Sequence, residues 1–173
     1  SKVAAQAVAV GAQLVNDISA GNLDKDMLKT VGKLGVPYIA MHMQGAPQTM
    51  QNNAEYDDVL VAVRTFFSEK IKAAHAAGIN DIILDPGFGF GKTPLHNQQI
   101  IDWTSLFHGL GVAVLIGVSR KSSLPILAAE GLGAPASGFG ADAGTERLGG
   151  GRSLSLIAAQ QGAQFFRTHD VAP

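Results

Sequence analysis

Hydrophobic and polar positions fall along this chain in blocks, with short apolar runs of strand length set between longer stretches of helical spacing. Residues 3–10 are rich in alanine and valine and predict a short helix that ends at Gly11. Residues 12–15 form an apolar strand that stops at Asn16-Asp17. Over 23–34 the apolar positions Leu23, Met27, Leu28, Val31 and Leu34 keep a helical spacing, closed by Gly35. Residues 36–41 give the next strand, ending near His42-Met43-Gln44-Gly45, and the polar residues 46–53 read as a loop. A long helix is predicted over 56–77 from Val59, Leu60, Val63, Phe66, Phe67, Ile71 and Ala74, with Gly78 as its cap. Asp81-Ile82-Ile83-Leu84 follows as a buried strand ending in a carboxylate, Asp85.

In the second half, residues 95–110 predict one helix, and 112–118 (VAVLIGV) form a fully apolar strand of the kind buried on both faces of a parallel sheet. That strand runs into Ser119-Arg120-Lys121-Ser122. A short helix is expected at 124–130, then a glycine- and alanine-rich connection, expected to be mobile, over 131–144. Residues 146–161 predict a helix, although Gly149-Gly150-Gly151 weaken it by roughly 1 kcal/mol per glycine. The last strand, 163–166, ends at Arg167-Thr168-His169-Asp170.

Strand and helix thus alternate, which predicts a parallel sheet with right-handed crossovers. About five strands are counted in this way. Polar groups gather where each strand ends: Asn16 and Asp17, His42, Asp85, Ser119 to Lys121, then Arg167 and His169. No GxGxxG follows the first strand. The pattern fits an α/β fold of the (β/α)8 TIM-barrel class, whose chemistry sits at the C-terminal ends of its strands.

Composition narrows the function. The 173 residues suit one domain, and a hydrophobic content of 46% is enough for a real core. A formal net charge of −1 argues against broad attraction to nucleic acid or anionic membrane. The sequence has no cysteine, which excludes disulfides and thiolate metal sites. No apolar run reaches membrane-spanning length, and the first residues lack a signal-peptide pattern.

The richest candidate chemistry lies in Asp85 to Thr93, DPGFGFGKT, where Gly87, Gly89 and Gly91 alternate with Phe88 and Phe90. Gly91-Lys92-Thr93 matches the end of a phosphate-binding P-loop. However, the motif's first glycine would fall on Pro86, which has no N–H to offer. Lys92 and Thr93 are therefore read as shaping the loop.

Five motifs, in order, carry a resemblance. They are Asn16-Asp17-Ile18-Ser19, Met41-His42-Met43-Gln44-Gly45, Asp85 to Lys92, Gly117-Val118-Ser119-Arg120-Lys121-Ser122 and Arg167-Thr168-His169-Asp170-Val171. Together they closely resemble the dihydropteroate synthases, which join a dihydropterin pyrophosphate to p-aminobenzoate in folate biosynthesis and are the target of sulfonamides. The resemblance implies a transferase with an eight-stranded barrel, in which Asp85 and Lys121 act as catalytic residues. Asn16 and Asp85 would hold the edge of the pterin, which offers a guanidine-like donor face. Lys121 would sit against the pterin carbonyl, and Phe90 with Met41 or Met43 would give apolar surface to the ring. Ser122, at a helix start, would meet the aminobenzoate carboxylate, and Arg167 and His169 the pyrophosphate.

The resemblance also implies magnesium (Mg2+), a cytoplasmic setting, and a homodimer with neither nucleic-acid nor membrane partners. No metal ligand is expected among these residues. The family's first three strands have no counterpart here, so the chain is expected to form about the last five βα units of the barrel, as one partial domain over 1–173. Two further readings stay open. One is a methyltetrahydrofolate methyltransferase on the same barrel, and the other a non-catalytic pterin-binding fragment. Plainer roles stand beside the catalytic ones: Asp17 as a cap, His42 as a packed histidine, Arg120 as an ion-pair partner, and His75 and His108 as solvated residues of outer helices.

Overall fold

The computed structural model describes residues 1–45, 54–121 and 143–169, and over 143–148 only the backbone. The described elements are α1 (Lys2–Ala9), β1 (Val15–Asp17), α2 (Met27–Leu34), β2 (Tyr38–Met41), α3 (Val59–Ala76), β3 (Ile82–Asp85), α4 (Pro94–Asp102), a 3-10 helix (Thr104–Leu110), β4 (Ala113–Ile116), α5 (Ala143–Gln160) and β5 (Phe165–Phe166). The strands form one parallel sheet in the order β1-β2-β3-β4-β5. Sequential order with parallel pairing is the topology of a partial (β/α) barrel.

Alternation along the strands divides the core. Tyr38, Ala40, Ile82, Leu84, Val114 and Ile116 join Val31, Val63, Phe67, Ile71, Ile100 and Ile101 of the helices in one large cluster. The intervening positions Ile39, Ile83 and Leu115 form a second, smaller cluster. Because side chains alternate along a strand, Asn16, Met41, Asp85 and Gly117 share this second face. Strand register and this alternation together bring Asn16 and Asp85 to one side of the sheet, while Asp17 and His42 fall on the other.

Several predicted boundaries shift for identifiable reasons. The 56–77 helix starts at Val59, because the Asp58 side chain accepts hydrogen bonds from the N–H groups of Leu60 and Val61. The 23–34 helix begins only at Met27 and ends at Gly35, which takes the left-handed conformation predicted for its cap. The first strand comprises Val15–Asp17, so Asn16 and Asp17 belong to it instead of following it. The single helix predicted over 95–110 is two elements. Thr93 and His96 cap its start reciprocally, and the Thr104 hydroxyl donates to the carbonyls of Ile100 and Ile101 where the α-helix gives way to the 3-10 turn. The glycine run 149–151 stays helical, with Ser153 and Ser155 bonded back to the carbonyls of Gly149 and Gly151.

His108 is not simply solvated: it is half-buried, with Nε2 3.3 Å from the carbonyl oxygen of Gln161. His75 lies exposed on α3, as expected. The predicted loop 46–53, the short helix 124–130, most of the connection 131–144, Ser122 and Asp170 lie outside the described residues.

Candidate active site

Each strand end delivers a different chemical group to the same face. Asp85 closes β3 with only 1% of its surface exposed. One carboxylate oxygen accepts from the Gly87 N–H at 2.8 Å, which folds the loop back on its own strand end. The other accepts from Arg167 Nη2 at 2.8 Å, and Arg167 Nη1 lies 3.4 Å from Asn16 Oδ1. One guanidinium thus spans two acceptors from β1 and β3. Gly117 makes room for it, since a Cβ there would fall 2.8 Å from Arg167 Nη2.

Lys121 stands beside this group, with its ammonium 3.9 Å from the centroid of the Phe90 ring, a cation–π contact. Burial lowers the Lys121 pKa. The nearby Asp85 carboxylate opposes that shift and the Arg167 guanidinium adds to it. His169 sits farther along, where its N–H and Nδ1 both lie 3.1 Å from Ser119 Oγ. Met41 is the register partner of Asp85 but is only 1% exposed, so it presents little open surface to a ring. Of the residues expected from sequence, Asn16, Asp85 and Arg167 are joined directly, Phe90 and Lys121 form a second pair, and His169 stands apart on Ser119. Ser122 lies outside the described residues.

Beneath these groups the glycine loop is held from inside. Lys92 is 3% exposed, and its Nζ donates to the carbonyls of Gly87 and Phe90 at 3.1 Å each and to His42 Nδ1 at 2.9 Å. The His42 carbonyl lies at 3.4 Å. Burial pushes the Lys92 pKa down to about 7, with the Asp85 carboxylate pulling the other way. His42 is held near 3, first by burial and then by the Lys92 charge. Its ring packs edge-on against Phe66 and lies close to Phe67 and Tyr56, so the packed-histidine reading fits and no substrate-facing role emerges. The phosphate-loop reading of Gly91-Lys92-Thr93 fails, because the ammonium is taken up by internal acceptors and Thr93 caps α4. Gly87 is required twice over. Its φ is +72°, and a Cβ would fall 1.9 Å from the His42 carbonyl oxygen.

Asp17 organises its own turn. It accepts from the N–H and hydroxyl of Ser19, from the Gly21 N–H, and from the Tyr38 hydroxyl at 2.7 Å. Burial pushes its carboxyl up, but these hydrogen bonds outweigh that and hold it below the usual value. The role is structural but is not the cap expected from sequence, because the next helix starts only at Met27 and part of the support comes from Tyr38 on a neighbouring strand.

Two loop supports escaped the sequence reading. Asn97 Oδ1 accepts from the Gly89 N–H at 2.8 Å, and the Tyr56 hydroxyl donates to the Gly91 carbonyl at 2.9 Å. A signal existed for Asn97. It occupies the buried face of α4 with Ile100 and Ile101, where a polar residue needs a polar partner.

Among the described residues, no group of three or more His, Asp or Glu could hold a metal ion. The magnesium implied by the resemblance finds no donor set in them. No described helix is long and apolar enough to cross a membrane.

Comparison with known proteins decides the family. The model of the family described as "Pterin binding enzyme" matches residues 1–169. The chain belongs to the pterin binding enzyme family. Dihydropteroate synthase of Escherichia coli (strain K12) is 38% identical over 172 residues, covering 98% of this chain and 56% of that protein. Among solved structures, Xanthomonas albilineans dihydropteroate synthase with 4-aminobenzoic acid is 38% identical at a TM-score of 0.84, covering 99% of this chain and 57% of that one. The Thermus thermophilus enzyme in complex with 6HMPPP is 35% identical at a TM-score of 0.83, with 98% and 63% covered. The chain therefore spans a little over half the length of these pterin binding enzymes, and its sheet corresponds to part of their barrel.

Proposed function

We propose that this chain carries the pterin-binding part of a dihydropteroate synthase, which condenses 6-hydroxymethyl-7,8-dihydropterin pyrophosphate with p-aminobenzoate to give 7,8-dihydropteroate and pyrophosphate. The observation that carries this reading is the guanidinium of Arg167 seated across Asp85 and Asn16. A pterin edge presents the same kind of N–C–N donor array. The acceptors that hold this guanidinium are therefore suited to hold the heterocycle.

In this reading Asp85 accepts from the pterin ring, and Asn16 extends the acceptor row. Arrival of the ring releases Arg167 to the pyrophosphate, whose oxygens match its forked donors. The bond from the methylene carbon to pyrophosphate breaks with its electron pair leaving on the phosphate oxygen. The arylamine nitrogen then forms the new C–N bond and loses a proton. Cations at Arg167 and Lys121 stabilise the charge that develops as the leaving group departs. The related structures support both substrates, since the Xanthomonas albilineans enzyme holds 4-aminobenzoic acid and the Thermus thermophilus enzyme 6HMPPP. The Arg167-Thr168-His169 stretch favours the synthase over the methyltransferase, because methyl transfer leaves no pyrophosphate to hold.

The homodimer, the cytoplasmic setting and a magnesium requirement belong to the same proposal. They are tested by sedimentation, fractionation and chelation. The direct test of activity supplies the whole encoded protein with dihydropterin pyrophosphate and p-aminobenzoate and follows pyrophosphate release. Release that requires the arylamine supports the synthase. Pterin binding without arylamine-dependent release supports the non-catalytic reading instead.

A further inference from the structure

Lys92 is an unusual residue to find under a ligand site. Its side chain is almost wholly enclosed, in a chain where only 16% of residues are charged, yet its three nearest acceptors all lie within 3.1 Å. An ammonium has three N–H donors, and the carbonyls of Gly87 and Phe90 and the Nδ1 of His42 take one each. The two carbonyls belong to the glycine loop, and the imidazole belongs to the chain just past β2. The lysine is thus a cross-link between two strand ends, made by an almost wholly buried residue.

What the cross-link fixes follows from the loop's own bonds. The Gly87 carbonyl accepts from Lys92 and also from the Phe90 N–H at 3.0 Å, while the Gly87 N–H donates to Asp85 Oδ1. A shift at Gly87 therefore moves the Asp85 carboxylate. The Phe90 carbonyl is tied to the same ammonium, and the Phe90 ring carries Lys121 on its face. Two of the groups assigned to the pterin thus hang from one buried nitrogen. We infer that Lys92 is a positioning residue of the pterin site, its ammonium locking Gly87 and Phe90 to His42 so that the Asp85 carboxylate and the Phe90 ring keep one spacing. This rests on the reading that Asp85 and Phe90 meet a pterin.

The test is a binding and kinetic comparison on the whole encoded protein. Dihydropterin pyrophosphate is titrated without arylamine, and the KM for p-aminobenzoate is measured separately. Lys92→Met should weaken pterin binding by about tenfold or more, since a small displacement of positioned groups is costly. It should leave the KM for p-aminobenzoate within about twofold, a split that general unfolding would not produce. A second pair of variants guards against a Lys92→Met protein that does not fold. His42→Asn keeps an oxygen acceptor where Nδ1 sits, and should lose much less pterin affinity than His42→Leu, which leaves one N–H of the ammonium unpaired. Equal pterin affinity in wild type and Lys92→Met, or equal losses in the two His42 variants, overturns the inference. If wild type itself binds no pterin, the functional reading fails first and the inference falls with it.

Discussion

Arg167 and Asp85, 82 residues apart in the chain, meet at 2.8 Å across the C-terminal ends of β3 and β5, and the same guanidinium reaches towards Asn16. An arginine assigned to the leaving group thus covers the acceptors assigned to the ring. The buried carboxylate thereby has a partner, as a buried charge requires.

That relationship separates two ligands. Replacing Arg167 with Ala should weaken binding of inorganic pyrophosphate, because a forked cation is lost. It should leave pterin binding unchanged or tighter, by a few-fold at most, since the guanidinium competes with the ring for the Asp85 carboxylate. Calorimetric titration of each ligand checks this. Parallel losses for both ligands would mean that the guanidinium supports the pterin instead of competing with it.

Tyr38 offers a control away from the proposed ligand. Its hydroxyl donates to Asp17, and burial together with that carboxylate pushes its pKa well up. Tyr38→Phe should destabilise the fold by about 1.5–3 kcal/mol, the usual contribution of a hydrogen bond to a charged group. Pterin affinity should not change. Denaturant titration gives the first quantity and calorimetry the second.

Lys92 and His42 make a prediction about pH. The two side chains meet each other, Lys92 lies within electrostatic reach of Asp85 and His96, and the His42 ring lies beside Tyr56. Both have pKa values lowered in the fold, to about 7 and about 3. Between the folded and ordinary values the unfolded chain holds a proton that the folded chain does not, so stability rises with pH there. The windows are about 3 to 6.5 for His42 and about 7 to 10.5 for Lys92. Stability lost as pH falls through these windows reflects the cost of a buried charge. Lys92→Met should flatten the upper window, removing a slope on the order of 1 kcal/mol per pH unit. Chemical denaturation at several pH values measures it; an unchanged slope would show that Lys92 is not the titrating group.

Much of this site was legible before any coordinates. Apolar runs located the strands and the polar groups near their ends, although β1 reaches Asp17 and β4 stops at Ile116, and only the register between strands sets Asn16 and Asp85 on one face. What the pattern could not carry was the interior of the loop. Lys92 looked like a phosphate ligand or a loop former because its partners are two carbonyls and a histidine fifty positions away, none of which leaves a periodic trace. The break of the 95–110 helix was hidden for a similar reason: one threonine hydroxyl turns the chain, while the apolar spacing continues through Phe107. Asp17 read as a possible cap, and its strongest neighbour is a tyrosine on the next strand.

The central claim is that Asp85 receives the pterin edge, and one titration tests it most directly. Asp85→Asn keeps the shape and one acceptor oxygen but turns an NH₂ group toward the ring's donors. Calorimetric titration of dihydropterin pyrophosphate, without arylamine, into the whole encoded protein and its Asp85→Asn variant compares the two. The account predicts a loss of about 1.5–3 kcal/mol, roughly ten- to a hundredfold in Kd. Unchanged affinity in a folded variant would contradict it.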